Sequence, residues 1–183
     1  MQLETDSGLT RVEPVDERMV RVDMGPPVLT PAAVPFEAGA EQPSYTLTAD
    51  GAAYEVAVVS MGNPHVVLRV DDIDTAPVAT LGPVLESHPR FPNRVNAGFL
   101  AVTDRDAGRL RVYERGVGET PACGTGACAA AVAGILNGWF DAHVTLQLTG
   151  GALVIHWQGI GHPVWMTGPA DTVFEGRLAT GAQ

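Results

Sequence analysis

Gly124-Thr125-Gly126-Ala127-Cys128-Ala129-Ala130-Ala131-Val132-Ala133-Gly134-Ile135-Leu136 decides how the rest of this chain must be arranged. The run predicts a helix over 124–136, and Asn137-Gly138 behind it is a normal helix stop. After its first turn the helix has no polar face. A helix apolar all round must be buried on every side, yet this one is far too short to span a bilayer. Most of the surrounding sequence reads as strands. The expected fold is therefore α+β, with strands wrapped around a central buried helix whose alanines and glycines let neighbouring backbone approach closely.

Outward from that helix, alternating apolar residues predict strands over 10–15 and 19–24, paired around Asp16-Glu17. Further strands are expected over 54–59 and 65–70, separated by Ser60-Met61-Gly62-Asn63-Pro64. Another pair, 97–102 and 109–115, flanks the polar turn 104–108. Strands 144–148 and 153–157 flank Thr149-Gly150-Gly151, and 164–167 is the last. The proline-rich segment 25–42 reads as a linker or an irregular crossing. A second, short helix over 79–87 lies between Pro77 and Pro89, weakened by the internal Gly82-Pro83. The end of the chain is a polar tail with one apolar pair, Val173-Phe174.

The chain has 183 residues, 45% of them hydrophobic and 17% charged, which suits a packed core rather than disorder. Its net charge of −10 and the scatter of its eleven basic residues, all arginine, argue against nucleic-acid binding, which needs a concentrated basic patch. The lack of lysine removes the Schiff-base lysine of a pyridoxal enzyme and the phosphate-binding lysine of a P-loop. No apolar run is long enough for a membrane span, and residues 1–6 lack the features of a secretion signal. Two cysteines are too few for a disulfide framework, so a cytoplasmic location is expected. His65, His88, His143, His156 and His162 show no close metal-ligand spacing, and neither do Cys123 and Cys128. Gly116-Val117-Gly118 is not a dinucleotide fingerprint, because the next glycine is too distant.

Cys123 stands where the chain enters the buried helix. Unpaired N–H groups and the helix dipole there are expected to lower a thiol pKa and to hold an anion. Gly124 and Gly126 leave those N–H groups unobstructed, and Thr125 adds a hydroxyl. The plainer alternative is a core cysteine at a tight bend, and Cys128 reads as a small core residue. Glu114-Arg115 could receive a substrate ammonium and clamp a carboxylate, or form a surface ion pair. His65, after Asn63-Pro64, is either a core histidine or a site residue. Asn96 is either a turn residue or a polar contact.

Taken together, four motifs resemble the diaminopimelate epimerase family of cofactor-independent, two-cysteine racemases. They are Ser60-Met61-Gly62-Asn63-Pro64-His65; His88-Pro89 to Phe91-Pro92 continuing to Asn96; Glu114-Arg115-Gly116-Val117-Gly118-Glu119-Thr120 with Ala122-Cys123-Gly124-Thr125-Gly126; and Met166-Thr167-Gly168-Pro169-Ala170 with Val173-Phe174-Glu175-Gly176. The resemblance implies a pseudo-symmetric pair of domains, each a set of strands around a helix. It also implies interconversion of LL- and meso-diaminopimelate, in lysine and cell-wall precursor synthesis, without a cofactor or a metal. Cys123 matches the second of two cysteines that face the substrate α-carbon from opposite sides. By the same matching, Gly124 and Thr125 hold the α-carboxylate, and Glu114 helps receive the ammonium. His65 and Glu114 tune the cysteines, and Asn63, Asn96 and Arg115 bind polar groups toward the distal end.

A complete member carries its first cysteine in an N-terminal half, and residues 1–122 contain no cysteine. The resemblance therefore implies that 1–24 is a strand pair from the end of the first domain. On this reading 25–168 is the C-terminal catalytic domain, and the tail 169–183 returns to the first domain. The chain alone is expected to be inactive or very weak, to need the N-terminal half as partner, and to be a homodimer when complete. Two alternatives stay open: a related amino-acid racemase or isomerase, and a non-catalytic binding or structural remnant of the fold.

Overall fold

Val56, Ala57, Val58 and Val59 follow one another along a strand, and all four are buried. Since successive strand residues point to opposite faces, the sheet they belong to must be covered on both. The computed structural model, which describes residues 1–5 and 8–177, shows how. Its strands are β1 (Gln2–Thr5), β2 (Gly8–Pro14), β3 (Met19–Asp23), β4 (Tyr45–Ala49), β5 (Ala52–Ser60) and β6 (Pro64–Val70), followed by helix α1 (Val78–Glu86). Next come β7 (Asn96–Asp104), β8 (Ala107–Glu114), β9 (Gly118–Thr120) and helix α2 (Gly124–Leu136), then β10 (His143–Leu148), β11 (Gly151–His156) and β12 (Trp165–Pro169).

Eleven strands form one continuous sheet in the order β1-β2-β3-β12-β11-β10-β8-β7-β6-β5-β4, with β9 paired to β8. The sheet curls around α2, which packs against β5 to β8 on one side and β10 to β12 on the other. Ala57, Val59, Val67, Leu100, Leu110 and Val112 join the core around α2. Their strand neighbours Val56, Val58, Val66, Leu68, Ala97 and Phe99 face the other way, into a second core beneath α1. The α+β arrangement of strands around a buried helix is thus present, with a second helix on the outer face. Every residue of α2 from Gly126 to Gly134 is buried.

The proline-rich crossing has a definite path. Val28 and Ser60 exchange two backbone hydrogen bonds of 2.9 Å, and Met24 donates to the Val164 carbonyl. Leu29 and Met24 pack against the α2 core, so the crossing covers the helix between β3 and β5. In α1, Gly82 is present because a Cβ there would lie 2.7 Å from the Tyr113 ring. That close approach outweighs the poor helix propensity of Gly82-Pro83. Three strands were not expected: β1, β4 and the short β9. Val173 and Phe174 are almost fully exposed, and the last six residues of the tail lie outside the described residues. Among those described, no helix is long and apolar enough to cross a membrane.

Candidate active site

Strand direction brings the named residues to one end of the sheet. β6 and β7 run parallel, with His65 opposite Asn96 at their starts. β8 runs antiparallel to β7, so Glu114, its last residue, arrives at that end. The β9 hairpin then returns the chain through Pro121-Ala122 to α2. Gly150 fastens this passage by donating to the Pro121 carbonyl at 2.7 Å.

Cys123 is the N-cap of α2, with extended backbone, and its carbonyl accepts the Ala127 N–H at 2.9 Å. The N–H groups of Gly124, Thr125 and Gly126 have no acceptor within the helix, as in any first turn. The Thr125 hydroxyl lies 3.7 Å from the Cys123 sulfur, within hydrogen-bonding reach, and the Gly126 amide also acts on that sulfur. These contacts favour the thiolate. They are outweighed by burial, with Glu114 adding its own negative charge and hydrogen bond, so the thiol pKa is pushed up from its ordinary value. The expectation that the helix start would lower it is thereby corrected: at 6% exposure, desolvation exceeds the gain from the amides. Cys128 is fully buried, and burial pushes its thiol up to about 12.

Glu114 accepts a short hydrogen bond from the Thr120 hydroxyl across the β8–β9 pair. His65 is 1% exposed, and its Nε2 lies 3.1 Å from Asn63 Oδ1. Burial, reinforced by the nearby Arg115 charge, lowers its pKa to about 3. His65 is therefore neutral at neutral pH, and the charge acting on Cys123 comes from Glu114 instead. Asn96 is buried and cross-links two strands. Its Nδ2 donates to the Pro64 carbonyl at 3.0 Å, and its Oδ1 accepts the Arg115 N–H at 2.9 Å. Arg115 is exposed, with Nη1 donating to the Asn93 carbonyl at 3.0 Å.

The structure thus places Glu114 and the first turn of α2 where both act on Cys123, and joins Asn63, His65, Asn96 and Arg115 in a second group. The adjacent residues Glu114 and Arg115 connect the two. Sequence reasoning missed Thr120, Met166 and Glu86. Met166 sulfur would lie 3.1 Å from a Cβ placed on Gly124, so it packs beside the helix start. Glu86 is buried at 7% exposure, a signal available from spacing: with Val78, Leu81, Gly82 and Leu85 it completes the apolar stripe of α1. No cluster of three or more potential metal ligands occurs among the described residues.

A sheet curled about a buried helix is also the fold of solved racemases, epimerases and isomerases. They include a hydroxyproline epimerase from Agrobacterium vitis, with TM-score 0.62, 17% identity and 92% of this chain covered against 55% of its own. A methylitaconate-delta-isomerase aligns with TM-score 0.58, 14% identity and coverage of 91% and 62%. The chain belongs to the diaminopimelate epimerase family, whose sequence model matches residues 57–173. The diaminopimelate epimerase of Halorhodospira halophila is 61% identical over 178 residues, which are 97% of this chain and 62% of that protein. Its counterpart in Alkalilimnicola ehrlichii is 58% identical over 96% of this chain and 63% of its own length. The chain thus spans slightly under two thirds of these relatives.

Proposed function

We propose that this chain supplies one half of a diaminopimelate epimerase site, with Cys123 delivering or removing a proton on one face of the substrate α-carbon. The observation that carries this reading is the convergence of the Cys123 sulfur, the Glu114 carboxylate and the N-terminal N–H groups of α2. An amino-acid α-proton is barely acidic, so the electron pair left on carbon must spread into the carboxylate and be held there by fixed donors. The N–H groups of Gly124 and Thr125 suit that role, while Glu114 suits the α-ammonium. In one direction, the thiolate of a cysteine from the N-terminal half takes the α-proton, and the Cys123 S–H protonates the opposite face. Cys123 is left as thiolate, and the reverse reaction uses it as base. A thiol pKa raised by burial fits the donor state at neutral pH.

Arg115 has donors free for a distal carboxylate. Asn63 and Asn96 would lie along the same side, Asn96 with one N–H to spare beyond its two cross-links. His65 would act as a neutral hydrogen-bonding group. On this reading β1–β3 continue a first domain, the completed protein is a cytoplasmic homodimer, and the isolated chain, with one thiol and half a cleft, is inactive or very weak.

Calorimetry on this chain co-expressed with the N-terminal part of the Halorhodospira relative tests the substrate. Binding of meso-diaminopimelate without binding of proline is the expected result. Binding of proline alone would move the assignment to a related racemase, and binding of neither would overturn the enzymatic reading.

A further inference from the structure

Glu86 closes α1 with a buried carboxylate that the proposed chemistry does not use, and buried carboxylates persist only when they are paired. Its Oε1 accepts the Gly116 N–H at 2.8 Å and the Arg94 Nη1 at 3.2 Å, while its backbone carbonyl accepts the Val95 N–H at 3.0 Å. Both turns it reaches are conformationally demanding. Arg94 has φ 58°, uncommon for a residue with a side chain, and Gly116 has φ 75°. Each turn borders a polar residue of the site: Arg94 precedes Asn96 by two, and Gly116 follows Arg115. The turns are also tied directly, by Arg115 N–H to Asn96 Oδ1 and by Arg115 Nη1 to the Asn93 carbonyl.

We infer that Glu86 is a positioning residue: its one buried oxygen locks the 93–96 turn to the 114–118 turn, and so sets where Arg115 and Asn96 meet the distal end of a substrate. The geometric part stands on the hydrogen bonds alone, and the consequence for binding rests on the function proposed above. Without the carboxylate, two left-handed turns lose their shared acceptor, and the Arg115 guanidinium samples several settings instead of one.

Amide hydrogen exchange on the full 183-residue chain reads the lock without substrate. Exchange at Gly116 should be slowest in the wild type, intermediate in Glu86→Gln, whose neutral oxygen still accepts, and about tenfold faster in Glu86→Ala. Alkylation of Cys123 should be the same in all three. Should Glu86→Ala not fold, Glu86→Gln decides, with about threefold faster exchange at Gly116 expected. Unchanged exchange at Gly116 in the folded variants would overturn the lock. With the N-terminal half supplied, affinity for meso-diaminopimelate should fall about tenfold in Glu86→Ala and about threefold or less in Glu86→Gln, with the rate of α-proton exchange at saturation nearly unchanged. If the wild type binds and the variants bind equally well, the positioning role fails. If the wild type itself does not bind, the function proposed above fails while the exchange data still decide the lock.

Discussion

The two helices pack against opposite faces of the same strands, and they differ in nearly every respect. α2 is buried all round, built of small residues, and interrupted by nothing. α1 keeps exposed positions at Ala79 and Thr80, contains Gly82 and Pro83, and ends in the buried Glu86. The first can bring a sulfur and a set of amides to one point because its surroundings leave it no freedom. The second bears on the site from outside, through a carboxylate reaching two turns. Position and orientation come from α2, and the spacing of the polar residues around it from α1.

The contrast is broken most severely by changing the packing of α2. A Cβ on Gly134 would lie 2.2 Å from the Phe140 ring, so Gly134→Val should cost about 3 kcal/mol in urea unfolding. Ala79→Gln on α1 should stay within about 0.5 kcal/mol. Equal effects would contradict the assignment of α2 as the enclosed element.

Acid probes the strand ends between the helices. With its pKa lowered to about 3, His65 stays neutral in the folded chain, while in the unfolded chain it binds a proton from about pH 6.5 downward. Stability contributed by the neutral ring is complete above pH 6.5 and declines as pH falls toward 3. The slope from this one group approaches about 1.4 kcal/mol per pH unit. His65→Asn should remove that share of the acid sensitivity, as measured by urea midpoints from pH 7 to pH 4.

A thiol reagent separates the two ends of buried α2. Alkylation by iodoacetamide at pH 7 should be about tenfold slower than for a free cysteine, should label Cys123 before Cys128, and should accelerate as pH rises. Preferential labelling of Cys128, held to about 12, would refute the placement of both thiols. The smallest effect is expected at the exposed Arg105–Asp141 pair. Arg105→Ala should leave the urea midpoint essentially unchanged, because solvent screens an exposed pair.

How much of this was readable beforehand follows from the same physics. α2 was legible because an all-apolar, short helix among strands has one economical place to go. The strands carrying His65 and Glu114 were legible as apolar runs stopped by turns, whereas Asn96, read as a turn residue or a polar contact, is the first residue of β7. β1 was not, since Gln2–Thr5 is a polar edge held by its pairing with β2. β4 alternates clearly, with Tyr45, Leu47 and Ala49 buried, but it stands directly behind the proline-rich crossing and was passed over with it. The thiol pKa direction could not be read from a helix start alone. Its outcome depends on how tightly the sheet closes over Cys123, a property of packing rather than of spacing. Glu86 was available from the helical stripe and was missed because α1 itself looked weak.

Incorporation of solvent deuterium at the α-carbon of diaminopimelate bears most directly on the role given to Cys123. The chain paired with the N-terminal part of its Halorhodospira relative should catalyse this exchange, and Cys123→Ala in the same pairing should lose it. Undiminished exchange by the Cys123→Ala protein would contradict the account.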